Sequence, residues 1–177
     1  MPSADPGPTP EFSRPVAVEK LTAGGSLYRI EAKQAEREAL ALRFGILGVD
    51  ALTAELTLRS GAKGVVRVEG ELHASVRQAC VVTLVEVPAR IEQRFTRVYA
   101  PSITRDEPEI IVDLDAEDPP DPLRDGIVDI GEAVSEELAL ALDPYPRAPG
   151  ATFDLPQAEA PAPSAPFAVL AALKRPQ

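Results

Sequence analysis

The sequence predicts an α+β protein: a curled, barrel-like antiparallel sheet with two helices packed on it and flexible, proline-rich tails. Three observations carry that expectation. The stretch from Val65 to Tyr99 alternates apolar with polar residues, two other segments repeat their apolar residues at helical spacing, and prolines gather before Val16 and after Asp143. A period of two belongs to strands and one near 3.6 to helices.

The central stretch is the clearest. Val66, Val68, Leu72, Ala74 and Val76 share one parity, while Arg67, Glu69, Glu71, His73, Ser75 and Arg77 share the other. This is the pattern of a half-buried strand with one wet face. Alternation breaks at Gln78-Ala79-Cys80, crosses the apolar run from Val81 to Val85 and resumes after Pro88. There Ile91 and Phe95 point inward and Arg90, Glu92 and Arg94 outward.

Around it the chain divides into a leader (1–15), a single α+β domain (16–145), a Pro/Ala-rich linker (146–165) and a short amphipathic segment (166–174). The leader is too rich in proline to fold alone. Val16–Lys20 and Leu27–Glu31 read as short strands separated by the Gly24-Gly25-Ser26 turn. Ala32–Phe44 reads as a helix that stops before Gly45, with Ala35, Ala39 and Leu42 as its apolar stripe. Leu52, Ala54, Leu56 and Leu58 alternate with polar residues, and Ser60–Gly64 turns that strand into the central one. Ile110–Leu114 adds one strand, and Ala116–Pro122 is a solvated acidic loop. In the second helix, Asp129 to Leu142, Asp129 suits the N-cap and Glu132 a capping box. Its buried stripe is Ile130, Val134, Leu138 and Leu142. Asp143-Pro144 ends it.

Charge and composition narrow the function. The net charge of −10 excludes a DNA-binding domain held by bulk charge. That charge is unevenly placed. Asp106–Glu137 holds thirteen acids and one base, whereas Arg59–Arg105 holds eight bases and four glutamates. One cysteine, Cys80, permits no internal disulfide and no CxxC metal knuckle. The amino terminus has no signal-peptide pattern, and no apolar run approaches the ~20 residues that span a bilayer, so a cytoplasmic protein is expected. Nucleotide-binding glycine motifs are absent.

At this point the order of motifs resembles a known family. A hairpin, a cysteine in QACVVTL, an acidic loop, then IVDIGEAVSEELALALDPYPR and a PFAVLAALK ending are similar to the YceD-like large ribosomal RNA subunit accumulation proteins of bacteria and plastids. The likeness extends over about residues 15 to 174. It implies a role in the synthesis, processing or stability of 23S rRNA, hence in large-subunit biogenesis, and no known enzymatic activity. The expected reading is a noncatalytic factor whose partner is the pre-ribosomal large subunit, through that RNA or through a basic ribosomal protein held by the acidic segment. It implies no cofactor. Many family members resemble CxRC at the crossing. Here Val82 and Thr83 replace the arginine and the second cysteine, so Cys80 reads as a small buried hydrophobe.

Two functional classes follow. In the first, the protein works through a surface: Arg67, Arg77, Arg90 and Arg94 share the outward parity of neighbouring strands and face RNA or the particle, and charge reversal at Arg77 and Arg94 weakens association. The competing reading of these arginines is ordinary solvated charge paired with Glu69, Glu71 and Glu92. In the second class, the acidic loop holds a metal for a hydrolase or nuclease acting on rRNA precursors. It lacks support, because Asp113–Asp121 has no EF-hand spacing. The one histidine, His73, lies ~6–7 Å from Glu71 and Ser75 along a strand, too far for a catalytic trio. The terminal segment either folds back on the domain or docks in a partner's groove through Phe167 and Leu170. The second is expected, and truncation after Gly150 then moves the unfolding midpoint by no more than ~2–4 °C.

Overall fold

Pleating sorts the alternating stretches into two layers. The computed structural model describes residues 10–22, 24–101 and 119–153. In chain order its elements are β1 (Pro15–Ala17), β2 (Ser26–Glu31), α1 (Gln34–Phe44), β3 (Gly48–Ser60), β4 (Val66–Ala79), β5 (Glu86–Pro101), β6 (Asp121–Leu123), β7 (Ile127–Asp129) and α2 (Ile130–Ala141). One sheet runs β2-β3-β4-β5-β6, and β1 pairs with β7 in a separate ribbon. The fold is α+β, as expected.

The barrel is not formed. The outermost strands β2 and β6 do not pair with each other, so the sheet stays open. Closure needs strands long enough to sustain a tilted, staggered ring of pairing. β6 offers three residues, and it joins β5 in parallel over Tyr99–Pro101, so the sheet is not purely antiparallel either. Helices fill the face that a barrel would turn inward.

The strand parities are those of the sequence. Val66, Val68, Leu72, Ala74 and Val76 of β4 lie in the core, as do Leu52, Ala54, Leu56 and Leu58 of β3 and Phe95 of β5. Fully burying each large aliphatic side chain contributes about 1.5–3 kcal/mol. The register breaks once, between Val49 and Ala51. The bulge at Asp50 turns that residue toward Arg77.

α2 buries Ile130, Val134 and Leu138 on the expected stripe. Its N-cap is Asp129, which accepts the N–H groups of Gly131 and Glu132. Glu132 does not complete a capping box; it pairs with Arg43 of α1 at 2.8 Å. α1 ends at Gly45, in the left-handed region at φ 65°. Its buried residues are Leu40 and Ala41, not the expected Ala35, Ala39 and Leu42, and Leu42 is 84% exposed. Apolar residues ring this helix on several sides, so spacing alone selected the wrong phase. Contact with β3 decides it.

Packing also reaches further toward the amino terminus than the leader boundary at residue 15. Phe12 is fully buried. The Arg14 N–H donates to Asp129 Oδ1 at 2.7 Å, and its guanidinium pairs with Glu36 at 2.8 Å. Gly131 makes room for this strap: a Cβ there would meet the Phe12 carbonyl oxygen at 2.4 Å. The expected strand Ile110–Leu114, residues 116–118 of the acidic loop, and Phe167 and Leu170 lie outside the described residues, and the end of that loop, Asp121 and Pro122, is not loop but part of β6.

Candidate interaction surface

The face of the sheet opposite the helices is built row by row from the register. Arg29, Glu55, Glu71 and Arg94 form one row from β2 to β5, and Glu31, Thr53, His73 and Glu92 form the next. Ion pairs run across the strands: Arg29–Glu55 at 2.8 Å, Arg94–Glu71 at 3.2 Å, and Arg59–Glu69. His73 Nδ1 stands 3.9 Å from Glu92, its cross-strand neighbour, and not in a trio with Glu71 and Ser75. Such exposed pairs contribute about 0–1 kcal/mol each.

Arg67, Arg77, Arg90 and Arg94 all have the outward parity, but the register spreads them. Arg67 and Arg77 stand ten residues apart on β4, roughly 33 Å at strand spacing. Arg77 is held at the strand end by Asp50 and Glu86, both at 3.0 Å. Hydrogen bonds to Glu86 and then Asp50 raise its pKa. Arg94 is committed to Glu71. Arg67 and Arg90 form no salt bridge among the described residues, so the two pairs of arginines have different chemistry.

One arginine that sequence reasoning passed over lies on the inner parity of β5. Arg97 donates to Glu137 Oε1 at 2.7 Å, contacts Glu136 and stands 3.6 Å from Asp121. Burial disfavours its charge, but Glu137 and Glu136 more than offset this, and its pKa is raised. It ties α2 and β6 to the sheet. An arginine sharing the parity of Phe95 was the available signal, since a charge facing a core requires partners.

The β4–β5 turn holds Cys80 in an unexpected role. The thiol is inaccessible to solvent, as a small hydrophobe would be. Yet Sγ accepts three backbone N–H groups, from Ala148 at 3.3 Å and from Val82 and Thr83 at 3.4 Å. The Ala148 N–H, then the Thr83 side chain and, less, the backbone N–H groups of Thr83 and Val82 lower its pKa to about 6 against the opposing effect of burial, because donors favour the thiolate. Val82 and Thr83 are the positions where the resemblance places an arginine and a cysteine. Here Val82 contributes a backbone donor, and Thr83 both a backbone donor and its side chain.

Cavities on this molecule are shallow and internally satisfied. A depression of about 530 Å³ opens on the outer face beside Arg29, Glu55 and His73. Another, of about 480 Å³, lies between β6, β7 and α2 beside Asp121, Asp129, Glu132 and Glu136. Four of its five carboxylates, all but Asp125, are engaged: Asp129 caps α2, Glu132 pairs with Arg43, and Asp121 and Glu136 face Arg97. Among the described residues no three His, Cys, Asp or Glu side chains converge as metal ligands.

These features define a two-layer α+β protein whose distinctive surfaces are an open sheet face and a hairpin end. The family follows from comparison. A family model described as large ribosomal RNA subunit accumulation protein YceD matches residues 68–174, more than half of the chain. The chain belongs to that family. The matched span begins inside β4 and takes in Cys80, α2, Phe167 and Leu170. No curated protein and no solved structure gives a significant match. Among the described residues no helix is long and apolar enough to cross a membrane.

Proposed function

We propose that this protein is a noncatalytic factor in large ribosomal subunit biogenesis, acting in the cytoplasm to support the synthesis, processing or stability of 23S rRNA. Membership of the accumulation-protein family carries the reading. The open sheet face supports it, because binding across a broad, solvated surface needs no enclosed cleft. The pre-ribosomal large subunit is the partner, through 23S rRNA or a basic ribosomal protein, with neither DNA nor membrane involved.

Within the outward arginines, phosphate contact falls first to Arg67 and Arg90. A guanidinium already engaged by a carboxylate must give up that partner before it binds phosphate, whereas these two have none among the described residues. Arg77 and Arg94, paired with Asp50, Glu86 and Glu71, contribute less. Co-sedimentation with large-subunit precursors tests this. R67E/R90E should lower association more than R77E/R94E, most visibly at moderate salt, where each lost phosphate contact flattens the salt dependence by about one unit of slope. Unchanged association of R67E/R90E at every salt concentration excludes this face.

The competing reading is a metal-dependent nuclease built on the acidic loop. An rRNA-precursor cleavage assay with and without magnesium separates the two. Absence of cleavage is expected, and a metal-dependent product would replace the noncatalytic reading.

A further inference from the structure

The β4–β5 turn, the chain after α2 and the start of β3 converge at one end of the sheet. Val81 N–H donates to the Pro146 carbonyl at 2.9 Å, Gln78 Nε2 to the Asp143 carbonyl at 2.9 Å, and Leu47 N–H to the Arg77 carbonyl at 2.9 Å. Five large apolar side chains are left open there: Leu84 is 76% exposed, Tyr145 72%, Val85 52%, Leu47 50% and Val81 47%. Scattered exposed apolar residues are ordinary. Several on segments held together by hydrogen bonds make this end a candidate contact surface.

We infer that this apolar end is the docking site of the chain's own terminal segment, residues 166–174, which is the fold-back alternative and not the partner groove expected from the sequence. Ala148 is bonded to Cys80 and the described chain continues to Phe153, so residue 154 lies no more than about 20 Å from this end by chain length. Their one sustained apolar run is Phe167–Leu173. The intervening residues 154–165 reach up to about 40 Å when extended, ample for the return. A tether that short holds its end at an effective concentration on the order of millimolar, so a contact too weak for a separate partner is still populated. The family match closes at residue 174 and so takes in both the turn and the segment within one unit.

Hydrogen exchange on the full-length chain tests this from both sides. In F167D/L170D, amides 80–85 should exchange about tenfold faster or more, while the β4 core amides Leu72–Val76 stay unchanged. In L84D/Y145D, amides 166–174 should lose whatever protection they have in the parent chain. Unchanged exchange at 80–85 in F167D/L170D overturns the inference. So does exchange of 166–174 in the parent chain at free-peptide rates, which leaves the segment to a separate partner. Sedimentation of the parent chain as a dimer whose dilution exposes 80–85 also overturns it, and assigns this end to a second copy.

Discussion

Arg94 and Arg97 stand three residues apart on β5 and face opposite sides of the sheet. The Arg94 side chain is 83% exposed and meets a single glutamate. The Arg97 side chain is 17% exposed and gathers Glu136, Glu137 and Asp121. Both carry the same charge, yet only one is structural. On the wet face, water already solvates each ion, and pairing adds little. Under α2, Arg97 and Glu137 are largely covered, and either charge without its partner would be costly.

Ranked by effect, the tests of this contrast begin beneath the helices. Phe12→Ala should cost about 3–5 kcal/mol, the usual range for removing a fully buried phenylalanine. It also removes the ring on which the Arg14 guanidinium rests, 4.6 Å from the centroid. Thermal unfolding measures it, and a loss under about 1 kcal/mol would show that residues 10–14 do not belong to the packed body.

Arg97→Ala comes next, at roughly 3 kcal/mol, because Glu137 would be left with its burial and without its partner. The double variant R97A/E137A should recover part of that loss. If R97A unfolds with the parent chain, the inner and outer arginines are energetically alike and the contrast fails.

Cys80 offers a test that depends on pH. Its folded-state pKa is lowered from 9.0 to about 6. Between these values the unfolded chain binds more protons than the native one, so the thiolate's contribution grows as pH rises and is lost as pH falls through about 6. The stability gap between the parent chain and Cys80→Ala should therefore be wider at about pH 8 than at about pH 5. A gap that is flat with pH means the thiol stays protonated beneath its three donors.

The smallest effect belongs to the outer face. Arg94→Ala should change stability by less than about 0.5 kcal/mol, within the range of ordinary surface substitutions. A larger loss would show that Arg94–Glu71 is part of the scaffold and not a solvated pair.

Much of the inner layer was legible before any coordinates. Alternation in β3 and β4 marked their buried residues correctly, because a strand's two faces are set by neighbours one residue away. The stripe of α2 was equally plain, since Ile130, Val134 and Leu138 leave one phase open. α1 was not, because its alanines and leucines allow several phases and only packing on β3 selects Leu40 and Ala41. Phe12 was hidden by the prolines around it. It joins the core only where its backbone passes close against Gly131 of α2.

For the surfaces the division is sharper. Sequence alone determined that Arg67, Arg77, Arg90 and Arg94 point away from the core, that Asp129 starts a helix, and that Cys80 has no second cysteine to pair with. Tertiary structure decided which arginines already have a carboxylate, that Cys80 accepts an N–H from a residue 68 positions away, and that the sheet remains open. The reason is range. Parity and capping are contests among residues within a turn or a pleat of one another. Register, ion pairing and closure depend on which distant strand arrives beside which, and that is settled only when the whole inner face is packed at once.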